Sequence, residues 1–116
     1  MSDSSLLEFV AIAKTSEIPL GSGKIVYVPS KRRAVAVFNI DGDFYALDNK
    51  CLHEGGPIGI GKVEGDIVEC PWHGWRYRIK TGELVWKPDF HPEPSVRRLT
   101  KHGVRVVDSV IEIGDR

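Results

Sequence analysis

The sequence predicts an all-β fold, and three observations carry that expectation. Short apolar runs recur between turn residues, one segment alternates between apolar and charged residues, and only one stretch offers a helical stripe. The runs are Ile25 to Val28, Ala34 to Ile40, Phe44 to Leu47, Ile67 to Val68, Val104 to Val107 and Val110 to Ile113. In the alternating segment Trp75, Tyr77 and Ile79 interleave with Arg76, Arg78 and Lys80, the pattern of a strand with one buried and one wet face.

In chain order, the helical stripe Leu6 to Ala13 is short and carries β-branched and aromatic residues, so an edge strand is expected there. Thr15 to Pro19 can make one capped helical turn, with Thr15 or Ser16 accepting from a backbone amide before Pro19 ends it. Asp41-Gly42-Asp43 separates two apolar runs and predicts a tight hairpin turn, as do Thr81-Gly82 and Lys101-His102-Gly103. Lys87 to Pro94 holds three prolines, too stiff and donor-poor for a central strand, and is expected as a surface loop.

A chain of 116 residues suits one domain, 1–116, with one small core. A bound metal centre would then supply an appreciable part of its stability and couple folding to loading. Sixteen basic and sixteen acidic residues leave no net charge, which argues against nucleic acid or an anionic membrane and favours a protein partner. Met1-Ser2-Asp3-Ser4-Ser5 lacks the basic and apolar regions of a secretory signal, and no apolar run approaches the roughly 18 residues of a membrane span. A cytoplasmic location is expected.

The chemistry concentrates in two pairs, Cys51-Leu52-His53 and Cys70-Pro71-Trp72-His73, separated by sixteen residues and containing every cysteine of the chain. Two thiolates and two imidazoles suit a soft metal centre, and the repeated Cys-then-His order suggests two similar converging loops. With both cysteines so used, none remains for a disulfide, in keeping with a reducing compartment. Gly55, Gly56, Gly59 and Gly61 crowd behind His53 and Gly74 follows His73, positions that let amides point at a buried anion such as a sulfur. Pro71 holds Cys70 extended. A mononuclear zinc site with the same four ligands is the competing reading, although zinc loops usually pair like ligands.

Cys51-x-His53, the spacer, then Cys70-Pro71-Trp72-His73-Gly74-Trp75-x-Tyr77 and Thr81-Gly82-Glu83 resemble the Rieske [2Fe-2S] signature. The approach from Asp41 to Lys50 resembles that of Rieske ferredoxins, and the resemblance covers nearly the whole chain. It implies a Rieske fold, an antiparallel β-sandwich with an inserted cluster-binding subdomain at roughly 49–86. It also implies one [2Fe-2S] cluster, with Cys51 and Cys70 on one iron and His53 and His73 on the other, nearer the surface.

High-potential members of the family carry a further cysteine in each loop, forming a disulfide, where this chain has Gly56 and Trp72; they place a serine donor where it has Trp75. Fewer donors to the sulfurs imply a low potential, whereas Tyr77 matches the tyrosine that donates to a cysteine sulfur in that class. The Lys87 to Pro94 loop resembles the proline segment that lies over the cluster. Within it His91 is expected to face solvent, and His102 carries no site role.

Four protein ligands leave no position for a substrate, so the implied role is one-electron carriage and not catalysis. His91 and His102 are the only histidines left for a mononuclear iron, so the chain does not resemble a terminal oxygenase. It resembles the monomeric ferredoxin that passes electrons from a flavin reductase to the terminal oxygenase in bacterial aromatic hydrocarbon catabolism. The alternatives are the small Rieske-like subunit of an NADH-dependent nitrite reductase and a zinc-stabilised interaction module. Pro57, Ile58 and Trp72, beside the histidine edge, are candidate docking residues. The basic groups Lys31-Arg32-Arg33 and Arg97-Arg98 with Lys101 are expected to form a solvated sheet rim.

Overall fold

The structure, a computed structural model, describes residues 9–114. Leu6 to Glu8 of the expected edge strand lie outside it. The described strands are β1 (Phe9–Lys14), β2 (Ser22–Val28), β3 (Arg33–Ile40), β4 (Asp43–Asp48), β5 (Lys62–Glu64), β6 (Ile67–Glu69), β7 (Arg76–Arg78), β8 (Leu84–Trp86), β9 (Lys101–His102), β10 (Val104–Val107) and β11 (Val110–Gly114). They form three antiparallel sheets, ordered β1-β11-β10, β2-β3-β4-β9 and β5-β6-β7-β8. The all-β expectation holds, and β1 does lie at a sheet edge. No helix among the described residues is long and apolar enough to cross a membrane.

The long apolar run of β3 has a specific cause, since side chains alternate across a sheet and this strand is covered on both faces. Val35 and Val37 pack with Ile18, Val28, Ala46, Ile111 and Ile113, between the β2-β3-β4-β9 sheet and the β1-β11-β10 sheet. Ala36, Phe38 and Ile40 face the other way, into a core shared with Val68, Tyr77, Ile79 and Leu84. Cys51 and Cys70 belong to this second core. The metal-site candidates therefore sit on the reverse face of the strand that closes the sandwich.

Asp41 and Gly42 take φ values of 56° and 93° and join β3 to β4 with Ile40 opposite Asp43, as the two-residue hairpin predicts. Gly82, with φ 81°, closes the β7–β8 connection through its amide to the Arg78 carbonyl at 2.7 Å. Lys101-His102-Gly103 is not a hairpin. Lys101 and His102 pair with Leu47 and Ala46 of β4, whereas β10 pairs with β11, so Gly103 carries the chain from one sheet to the next. The hairpin in this region is Asp108-Ser109, with φ 51° and 65° between Val107 and Val110. Residues Thr15–Glu17 form a 3-10 turn, but Glu17 supplies the cap, accepting from the Lys14 amide at 3.2 Å; Thr15 and Ser16 do not. Trp75, Tyr77 and Ile79 are buried and alternate with Arg76, Arg78 and Lys80 as expected.

Candidate metal centre

The first ligand loop follows β4 and the second joins β6 to β7, and their backbones repeat one hydrogen-bonding scheme. Each cysteine amide donates to the carbonyl five residues on, Cys51 to Gly56 at 2.9 Å and Cys70 to Trp75 at 2.7 Å. Each cysteine carbonyl accepts from the glycine four residues on, Gly55 at 2.9 Å and Gly74 at 3.0 Å. Those glycines have φ 75° and 78°, the left-handed region where a Cβ is costly. The turns so formed aim the amides of His53 and Glu54 at the Cys51 sulfur and those of Trp72 and His73 at the Cys70 sulfur.

Cys51 and Cys70 are buried, unbridged and within hydrogen-bonding reach of each other. The Cys70 thiol is the largest influence lowering the Cys51 pKa, and Tyr77 and the two loop amides add to it against the opposing effect of burial. Donating to Cys51 and burial both push the Cys70 thiol up. The imidazoles of His53 and His73 lie outside the sulfurs, edge to face with ring centroids 4.6 Å apart, and the His73 side chain is 39% exposed against 17% for His53.

Tyr77 reaches this cluster from β7. Its hydroxyl accepts from the Leu52 amide at 2.9 Å and lies 3.1 Å from the Cys51 sulfur, so its own proton is available to that sulfur. Burial first, and then the Cys51 bond, push the phenol's pKa up and keep that proton in place. Trp75 is buried with its ring stacked on His53, centroids 5.0 Å apart. Its indole N–H donates to His91 Nδ1 at 2.7 Å and not to a sulfur.

Two expectations need correction. His91 does not face solvent: it is half-buried, stacks on His53 at 4.3 Å and stands edge-on to His73 at 5.5 Å. Lys87 donates to the His91 carbonyl at 2.7 Å, folding the proline loop against the site. Ile58 cannot be a docking residue, because its side chain is wholly buried in the core that holds the cysteines. Pro57 is half-buried, Trp72 is exposed, and the exposed apolar residues Ile60 and Phe90 take Ile58's place on the surface.

A methyl built on Gly56 would lie 2.8 Å from the Cys70 sulfur and 3.1 Å from the Trp72 ring. The two positions that stand in for the missing disulfide therefore face each other, and the indole of Trp72 covers the gap. Glu54 was absent from the sequence reading, yet its carboxylate meets His73 Nε2 at 2.9 Å and approaches His53 Nε2 at 3.8 Å. The His73 hydrogen bond holds the Glu54 carboxyl below the usual range. The available signal was its place three residues after Cys51, the same step that separates His73 from Cys70. His102 serves the fold, buried and 2.6 Å from Asp48, which Arg33 also binds at 3.1 Å. A surface depression lined by residues such as Leu20, Ile40, Val63 and Lys80 shares no residue with the ligand loops.

Two buried sulfurs approached by amides, two imidazoles on their outer side and a loop with no room for one more methyl fit a compact binuclear centre. The fold and this donor set together define an iron–sulfur protein.

The chain belongs to the Rieske [2Fe-2S] family, whose domain model matches residues 8–107, and its cofactor is one [2Fe-2S] cluster. It is 34% identical over 88 residues to the ferredoxin component of the p-cumate 2,3-dioxygenase system of Pseudomonas putida, covering 75% of this chain and 74% of that one. It is 36% identical over 90 residues to apoptosis-inducing factor 3 of Homo sapiens, covering 78% of this chain but only 12% of that longer protein. A ferredoxin of Sphingomonas yanoikuyae B1 superposes with a TM-score of 0.78 at 28% identity, over 94% of this chain and all of that one.

Proposed function

We propose that this chain is a one-electron carrier that takes electrons from a flavin reductase and delivers them to the terminal oxygenase of an aromatic-ring-hydroxylating system. Cys51 and Cys70 are the ligands of the buried iron and His53 and His73 those of the outer one, all within a cluster-bearing part at 49–86. The observation that carries this reading is the donor set: two sulfurs in the core and two imidazoles at the rim. Electrons then leave at the exposed edge of His73, where Trp72 and Phe90 offer apolar contact to a partner that must dissociate each cycle. The nature of the relatives supports the choice of partners, and the cytoplasm is the compartment that fits two free thiols. The carrier works as a monomer.

Purified protein is expected to be red-brown, to bleach with dithionite and then to give an EPR signal. NADH, a flavin reductase and a ring-hydroxylating oxygenase should sustain turnover only when the chain is present. Cys51→Ser and His73→Ala should each abolish the visible spectrum. Colourless protein with one zinc per chain, or either variant with full absorbance, would overturn the ligand assignment.

A further inference from the structure

We propose that Glu54 is the positioning residue for the His73 imidazole and that its carboxylate, set beside both histidines, lowers the reduction potential of the centre. The inference rests on the ligand assignment above. The two loops share one backbone scheme, so the side chains three residues after each cysteine, Glu54 and His73, are counterparts, and they meet at the tip of the site. One carboxylate oxygen lies 2.9 Å from His73 Nε2 and the other 3.8 Å from His53 Nε2. Each histidine thus presents the same nitrogen to the same anion.

A carboxylate only accepts, so a hydrogen bond to it requires a proton on Nε2 and leaves Nδ1 with the lone pair for a metal. Glu54 in this way selects one tautomer and one ring orientation for His73; its other oxygen, 3.8 Å from His53 Nε2, is beyond hydrogen-bonding reach and adds only its charge there. The same contact makes an imidazole a stronger electron donor, as carboxylates do behind metal-bound histidines elsewhere. Its negative charge also opposes the arrival of an electron. His91 meets His53 ring face to ring face with its Nδ1 accepting from Trp75, and it brings no negative charge to the site.

Film voltammetry of the loaded protein tests this, since it reads only molecules that carry the centre, whatever the yield. Glu54→Gln keeps the shape and removes the charge; its midpoint potential should shift upward from wild type. Glu64→Gln removes an equal charge from an exposed position on β5 and should leave the potential unmoved. The Glu54→Gln shift should persist in 1 M salt, where the screening length falls to about 3 Å. The iron–imidazole stretching bands should move in the resonance Raman spectrum of Glu54→Gln alone. An unchanged potential in Glu54→Gln, an equal shift in Glu64→Gln, or a shift that vanishes in salt would each overturn the role given to Glu54. A colourless wild type would overturn the ligand assignment instead.

Discussion

The two ligand loops have the same backbone and different occupants, and the difference shows what each position is for. Amides two and three residues after the cysteine aim at its sulfur in both loops, and a left-handed glycine follows in both. The histidine moves: His53 stands two residues after its cysteine, His73 three. Sulfur binding therefore depends on the backbone turn, whereas the imidazole can be hung from either of two adjacent positions. The fifth residue diverges most. Gly56 must be small because the Cys70 sulfur and the Trp72 ring press against it, while Trp75 must be large because it fills the core and supports His53.

The largest expected effect comes from that fifth position. Trp75→Ala should cost about 3–5 kcal/mol by emptying a core site, and Gly56→Ala about 1–3 kcal/mol by overpacking. Thermal unfolding with iron counted per chain would check the pair; equal losses would show that the two positions are not specialised. Next comes Tyr77→Phe, which breaks the asymmetry between the sulfurs, since this hydroxyl reaches Cys51 and not Cys70. The potential should fall, and the orphaned Leu52 amide should cost about 1–3 kcal/mol; an unmoved potential in film voltammetry would show that the hydroxyl proton does not reach the sulfur. The smallest effect should be shared: Gly55→Ala and Gly74→Ala, at nearly equal φ, should each cost about 1 kcal/mol, and the comparison weakens if denaturant titration gives them clearly unequal losses.

Much of this site was legible because its signals are local. Cysteine and histidine two or three residues apart, glycine after the ligand and strict alternation from Trp75 to Lys80 are each read within one window of chain. The Asp41-Gly42 hairpin was equally plain. What escaped depends on distant pairing. The two-residue strand β9 has no periodicity of its own and exists because β4, more than fifty residues earlier, offers it an edge. Glu54 and His91 look like solvated residues until the second loop and the proline segment arrive beside them. Ile58 misled for the converse reason: a residue next to an exposed loop can still turn inward within a single 3-10 turn.

The rung formed by Ala46 and His102, with the Asp48 amide bonded to the Thr100 carbonyl at 2.9 Å, has a consequence for how this chain tolerates change. In backbone pairing the chain leaves the middle sheet after β4 and returns to it at β9, like a drawer in its frame, while Val68, Tyr77 and Leu84 of the excursion share a core with Ala36, Phe38 and Ile40 of β3. Because closure entropy grows only with the logarithm of length, length changes at the exposed loop tips of that excursion barely tax the frame, whereas changes at its core-facing residues do. Natural selection could therefore remodel exposed positions that meet a redox partner, such as Trp72 and Phe90, while the shared core behind them is kept.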